Sequence, residues 1–197
     1  MGDGFLQELS RPRPDPGGGA AAAFGARVGV ALLLKVAQLE ERRTSRCRQG
    51  PNSWPEWRQA GASLERVLED LQEEDVRAYA GLASNFRQGG EAREAAALKA
   101  TEIPYRIAAA AREGLSLATA VGGHCARHLL ADVQVAVELL AGSGRGATAI
   151  AKANLPWLAP AVSREWARRL EDLVKEIDAT LAQARAVLEA RVKGRQA

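Results

Sequence analysis

Residues Gly17 to Arg46 read "GGGAAAAFGARVGVALLLKVAQLEERRTSR". Three glycines open straight into the best helix formers, and no proline interrupts the run that follows. The stretch predicts one long helix from Gly18 to about Arg46. Ala21, Gly25 and Gly29 stand four apart, so they form a flat ridge on one helix face along which a second helix can approach closely. The apolar run from Ala20 to Leu34 contains Arg27 and stops at Lys35, which reads as too short and too charged for a membrane span.

The rest of the chain follows the same rule. Residues 3–10 form a short helix, and "RPRPDP" before the glycines forces an extended approach because each proline disfavours helix in the residue ahead of it. Gly50–Pro51 is a stop, and Ser53 is a candidate cap for a helix reaching about Phe86. Another helix starts after Gly89–Gly90, carries Ala96, Ala100, Ile103, Ile107 and Ala110 on its inner side, and is expected to kink at Pro104 before ending at Gly122–Gly123. His124 to Leu140 reads as helix, "GSGRG" as a turn, and a short segment runs to Asn154. A last helix from near Ser163 to about Arg191 buries Trp166, Leu170, Leu173, Ile177, Leu181 and Leu188. With about six helices and no credible sheet, the fold class is all-α: an antiparallel bundle in a single domain over residues 1–197.

Bulk properties bound the function. The 197 residues are 47% apolar and 26% charged, with net charge +3. The positive charges alternate with Glu and Asp, so no basic stripe suited to nucleic acid forms, and a small anionic ligand fits the modest excess better. Cys47 and Cys125 have no metal-type spacing, so a reducing cytoplasm is expected. Asp3, Glu8 and Asp15 spoil the positive region that a signal peptide needs.

Three features carry candidate chemistry. Gly17-x-Gly19-x-x-Ala22 fits a loose dinucleotide fingerprint, but no strand precedes it and no Gly-Lys-Ser/Thr follows, so neither a Rossmann site nor a P-loop is expected. What remains is a helix N-terminus with unhindered N–H groups, suited to an anion or a carbonyl, or glycine used for backbone fit alone. In the 53–86 helix the apolar stripe is Leu64, Leu68, Leu71, position 75, Ala78 and Leu82, and position 75 is an aspartate. A carboxylate there must find a partner, through a cap or a salt bridge with Arg77 or Arg106, or hold its proton above the usual range and serve as an acid or base. His124, His128 and Asp132 fall at i, i+4 and i+8 beside Cys125. No further ligand cluster supports a metal, so a polar strip facing a ligand, or a plain helix surface, is the better reading.

Taken together, five stretches resemble the cyclodeaminase/cyclohydrolase family of folate enzymes. "FLQELSRPRPDPGGGAAAAFGA" resembles its opening and "LEDLQEEDVRAYAGLA" its Asp-Ala-x-Ala-Phe/Tyr motif. "EAAALKATEIPYRIA" resembles its Ala-rich run to Val/Ile-Pro, "ADVQVAVELL" its Ser-Asp-x-x-Val-Ala stretch, and "AIAKANL" its Asn-Val-x-Ile-Asn-Leu. They occur in family order and cover nearly the whole chain. The resemblance implies a homodimeric helical bundle that binds a tetrahydrofolate derivative as substrate, with no metal or redox cofactor. It implies Asp75 as the catalytic acid/base, Gly17, Gly18 and Gly19 as the wall against which the pterin packs, and Asp132 and Asn154 along its polar edge, with His128 on the same strip. Arg43 and Lys35 are implied to face the glutamate tail. Of the two reactions, methenyltetrahydrofolate cyclohydrolase is expected ahead of formimidoyltetrahydrofolate cyclodeaminase. The alternative of another class is a family member that has lost its chemistry and remains a folate-binding or structural dimer. Its motive is a set of departures from the family pattern: Lys35 for Met, "EERRT" for Thr-x-Gly-Lys/Arg, Ala126 and Ile150 for Asn, and Ala131 for Ser.

Overall fold

The structure is a computed structural model that describes residues 3–47, 53–85 and 90–194. Among the described residues there are six α-helices and no strand: α1 (Asp3–Leu9), α2 (Gly18–Cys47), α3 (Trp54–Asn85), α4 (Gly90–His124), α5 (Leu130–Asn154) and α6 (Pro160–Lys193). Single 3-10 turns, Arg127–Leu129 and Leu155–Trp157, join α4 to α5 and α5 to α6. The bundle is antiparallel as expected. Cross-contacts run in opposite senses along α2 and α3 (Arg27 to Glu65, Arg58 to Glu41) and along α5 and α6 (Arg145 to Asp178, Arg185 to Glu138). The predicted stop at Gly50–Pro51, and Phe86 and Gly89, lie outside the described residues.

The small-residue ridge does what its spacing implied. A Cβ on Gly25 would come within 2.7 Å of Ser143 Oγ, and one on Gly29 within 2.9 Å of Leu140 Cγ and 3.1 Å of the Ala136 carbonyl. The α2 and α5 backbones therefore approach more closely than any larger residue would permit. The core around this seam is built from Ala23, Val30, Leu33, Leu68, Leu71, Ile107, Leu115 and Ile177, all buried. A smaller cluster of Leu82, Ala97, Ala100, Leu158 and Trp166 closes the end where α2 begins.

Three expectations need correction. "GSGRG" is not a turn: residues 142–146 lie inside α5. Ser143 and Gly144 are buried, and a Cβ on Gly144 would sit 3.1 Å from Ile177 Cδ1, so the small residues serve helix packing, and packing overrides their poor helix propensity. Second, α6 starts at Pro160, three residues before Ser163, because proline at the first helical position loses no needed N–H and presets φ. Third, α2 does not lose its apolar character at Lys35. Val36, Ala37 and Leu39 extend it, and Gly18–Ser45 is long and apolar enough by length and composition to cross a membrane. Half of its apolar window is buried inside the bundle, as a core helix requires.

Pro104 leaves α4 continuous, and the chain compensates for its missing N–H from elsewhere. The carbonyl that Pro104 would have engaged is that of Ala100, four residues back. Asn154 Nδ2, at the end of α5, donates to that carbonyl at 2.7 Å.

Candidate functional site

Asp75 is 7% exposed, on the buried face of α3. It meets the first turn of α2: the Ala20 N–H donates to its carboxylate, so Asp75 caps α2 from another helix. Arg77 and Arg106 do not neutralise it. Arg77 pairs with Glu73 and Arg106 with Glu74. Burial pushes the Asp75 carboxyl up from 3.8 to about 6. The Ala20 hydrogen bond pulls it down and the nearby Asp15 carboxylate pushes it further up. Both readings of the aspartate thus meet in one residue: a cap, and a carboxyl that gains and loses its proton near neutrality.

Gly19 makes this approach possible. A methyl group there would overlap the Asp75 carboxyl carbon and both its oxygens. Gly18 is exposed, and a Cβ on it would meet only Ile150 Cδ1, the movable tip of a side chain, at 2.8 Å. Gly17 has nothing closer than the Pro14 carbonyl at 3.5 Å. Of the three glycines, Gly19 is the one the carboxylate demands.

The other candidate residues divide between two ends of the bundle. Gly17, Gly18, Gly19 and Asp75 gather at the amino end of α2. Asn154, at the end of α5, lies one turn beyond the Ile150 that touches Gly18, and its side-chain amide is engaged with Ala100. Lys35 and Asp132 meet elsewhere, as an exposed ion pair of 2.8 Å between α2 and α5. Lys35 is sixteen residues from Gly19 along one helix, roughly 24 Å at the α-helical rise. Arg43 lies further on, bonded to Glu40 through Nε at 2.8 Å and Nη2 at 2.6 Å. His128 is exposed in the 3-10 turn.

The helical strip of His124, His128 and Asp132 is also corrected. His124 ends α4, Ala126 is extended, and Asp132 belongs to α5, so the three share no helix face. His124 stacks against Trp57 at 5.1 Å instead. Among the described residues no three His, Cys, Asp or Glu side chains form a group able to hold a metal ion.

One residue escaped the sequence reading. Glu40 is 1% exposed and receives the Ala126 N–H at 3.0 Å as well as Arg43. It locks the carboxyl end of α2 to the chain leaving α4. Cys125, beside it, is a free and fully buried thiol that burial first and Glu40 second push up to about 11, which makes it a poor nucleophile.

These elements can be set beside known proteins. The sequence profile described as Formiminotransferase-cyclodeaminase matches residues 2–177. The chain belongs to this family. No curated protein sequence matches it. Among solved structures, the formiminotetrahydrofolate cyclodeaminase of Thermotoga maritima matches with a TM-score of 0.86 over 95% of each chain, at 19% identity. At that identity the likeness establishes the fold, so the six-helix cyclodeaminase bundle is the architecture of this chain, and the resemblance read from the five sequence stretches is the family found here.

Proposed function

We propose that this formiminotransferase-cyclodeaminase family member is a folate one-carbon enzyme that closes a formimino group on N5 of tetrahydrofolate onto N10 and releases ammonia. The observation that carries the reading is Asp75: a buried carboxyl beside the open amino end of α2, titrating near neutrality. In the reaction, the formimino nitrogen enters protonated as C=NH2+, N10 adds to its carbon, and a C–N bond forms as that nitrogen becomes an amino group. Asp75 gives its proton to the leaving nitrogen and the second C–N bond breaks to release ammonia. The proton lost by N10 returns to the carboxylate, and 5,10-methenyltetrahydrofolate remains. A carboxylic acid that is still partly protonated near neutral pH suits this transfer. The glycine backbone at residues 17–19 provides the wall for the pterin, and no metal or redox cofactor is called for.

The hydration of methenyltetrahydrofolate, placed first on sequence grounds, remains the second reading. It uses the same carboxyl in its ionised form, as the base that takes a proton from water, and Asp75 is ionised above about 6. The names of the family and of the matching solved structure favour ammonia release. A chemically silent reading is supported by the occupied state of the tail-binding candidates: Lys35 by Asp132, and Arg43 by Glu40.

We also take the working form to be a cytoplasmic homodimer. Val28 and Leu39 are exposed with Lys35 on α2, and exposed Val135 lies near Asp132 on α5. Sedimentation at micromolar concentration tests the dimer, and a monomer at all concentrations refutes it. For the chemistry, purified protein is given 5-formiminotetrahydrofolate, and the rise in methenyl absorbance is followed together with ammonia. Growth of both, abolished by Asp75→Asn, supports the first reading. Loss of methenyl absorbance faster than the uncatalysed rate supports the second. Folate binding by calorimetry without either reaction identifies the silent member.

A further inference from the structure

Ile150, in the last turns of α5, has no role in the site so far beyond its contact with Gly18. A Cβ on Gly18 would stand 2.8 Å from its Cδ1 and 3.4 Å from its Cγ1, so the side chain lies directly on the Gly18 backbone. The next residue, Gly19, is covered by the Asp75 carboxyl in the same manner. Consecutive Cα atoms are about 3.8 Å apart, so an isoleucine methyl from α5 and a carboxyl from α3 border one peptide unit of α2. Gly18 is exposed and Ile150 half-buried, which leaves this border open to a ligand.

The polar groups of this half of α5 are used elsewhere. Asn154 Nδ2 donates to the Ala100 carbonyl at 2.7 Å, the Thr148 hydroxyl donates to the Arg145 carbonyl at 2.8 Å, and Ser143 Oγ faces Gly25, two turns further along α2. On α2 itself the N–H groups of the first turn point along the helix axis and serve a ligand lying beyond its end. The flank of that turn offers something different: the Asp75 carboxyl on one side and the hydrocarbon of Ile150 on the other. An oxygen atom seated on hydrocarbon gives up a hydrogen bond that it has in water, which lowers its affinity roughly tenfold. A methyl or C–H group loses nothing there and gains contact.

We propose that Ile150 is a specificity-determining residue of this site: its methyl groups, laid on Gly18 beside Asp75, exclude oxygen, whether of water or of a formyl group, and admit a one-carbon unit joined only to nitrogen. The inference rests on the folate reading above and separates its two reactions. In ammonia release the one-carbon unit carries nitrogen and hydrogen throughout, in substrate and product alike. In hydration the water oxygen bonds to the methenyl carbon. One water proton passes by way of Asp75 to N5 as the C–N5 bond breaks, the other goes to solvent, and the product carries a formyl oxygen. That oxygen needs a polar neighbour where Ile150 stands.

The test uses the full chain and two stable folates that differ only at the one-carbon group, 5-methyltetrahydrofolate and 5-formyltetrahydrofolate. Calorimetry gives both Kd values for the wild type, Ile150→Val, Ile150→Thr and Ile150→Asn. The wild type and Ile150→Val are expected to bind the methyl form more tightly. Ile150→Asn should move the ratio of the two Kd values toward the formyl form by roughly tenfold, the effect of one hydrogen bond. Ile150→Thr, which keeps the β-branch, moves it in the same sense if asparagine disturbs the helix. A general loosening of the fold weakens both ligands and leaves the ratio alone. In the turnover assay Ile150→Asn should speed the loss of methenyl absorbance relative to ammonia release. A Kd ratio shared by all four proteins overturns the proposal, and so does a wild type that prefers the formyl form. Methenyl loss no faster in Ile150→Asn than in a wild type that releases ammonia overturns it too. A moved ratio in a protein that turns over no folate leaves the wall standing and defeats the enzyme reading instead. Binding of neither folate by the wild type defeats the folate reading and takes this proposal with it.

Discussion

Asp75→Asn should stabilise this protein at neutral pH while abolishing its chemistry. The folded chain holds the Asp75 carboxyl at about 6 against 3.8 for the free side chain. Below 3.8 the group is protonated in both states and costs nothing. As pH rises through that window the unfolded chain gives up its proton first, so the native state becomes progressively less favourable, and the loss is complete once pH passes the folded value. At about 1.36 kcal/mol per pH unit, the ionised group costs the native state about 3 kcal/mol at pH 7 and above. Asparagine removes that cost and keeps an oxygen that can accept the Ala20 N–H, so the α2 cap survives. The gain converts to roughly 6–10 °C in Tm for a domain of this size. Urea unfolding of both proteins between pH 4 and pH 8 checks it: the variant's advantage should be small at pH 4, grow through pH 6 and then level off. A difference that is constant with pH would refute the argument, because it would mean that Asp75 titrates as an ordinary carboxyl. An asparagine variant less stable than wild type at pH 7 would refute it as well, by showing that the negative charge on the helix amino end outweighs burial.

Other outcomes follow from close contacts. Gly19→Ala should abolish activity and lower unfolding free energy by about 1–3 kcal/mol, because the added methyl displaces the Asp75 carboxyl. Gly18→Ala, which meets only the tip of Ile150, should cost under about 1 kcal/mol by the same urea assay. Gly142→Ala and Gly146→Ala point into open space within α5, and each should raise stability by about 0.5–1 kcal/mol, read as a later unfolding midpoint. Asn154→Ala should cost about 1–3 kcal/mol by stranding the Ala100 carbonyl, and much less in a Pro104→Ala background, where residue 104 regains an N–H for that carbonyl; a double-mutant cycle measures the difference.

The parts of the fold that were legible in the sequence are those in which side-chain size alone decides. The ridge of Ala21, Gly25 and Gly29 and the stripe from Leu64 to Leu82 follow helix geometry, and Asp75 stood out because it broke one of them. Glu40 was open to the same test: Val30, Leu33 and Ala37 lead to it in steps of three and four with Val36 beside them, and all are buried. The "EERR" run it opens looks like a solvated helix end, which hides it. "GSGRG" misled for the opposite reason. Its local preference is a turn, and the close approach of α6 that keeps it helical involves Ile177, more than thirty residues away. The grouping of the site was not legible either. Local motifs marked Lys35, Arg43, Asp75, Asp132 and Asn154 separately, but the length of α2 decides which of them can meet. The committed state of Lys35 and Arg43 depends on partners that no motif contains.

The bond from Asn154 to the Ala100 carbonyl also bears on the order in which the chain folds. α4 is made before α5, yet the backbone around Pro104 is complete only when the far end of α5 arrives, fifty-four residues later in sequence. The segment from Gly90 to Ala100 should therefore behave as one cooperative unit with the end of α5 rather than with the rest of its own helix. Amide hydrogen exchange would register this as shared protection of those two distant segments, and Asn154→Ala would uncouple them while leaving the remainder of α4 closed.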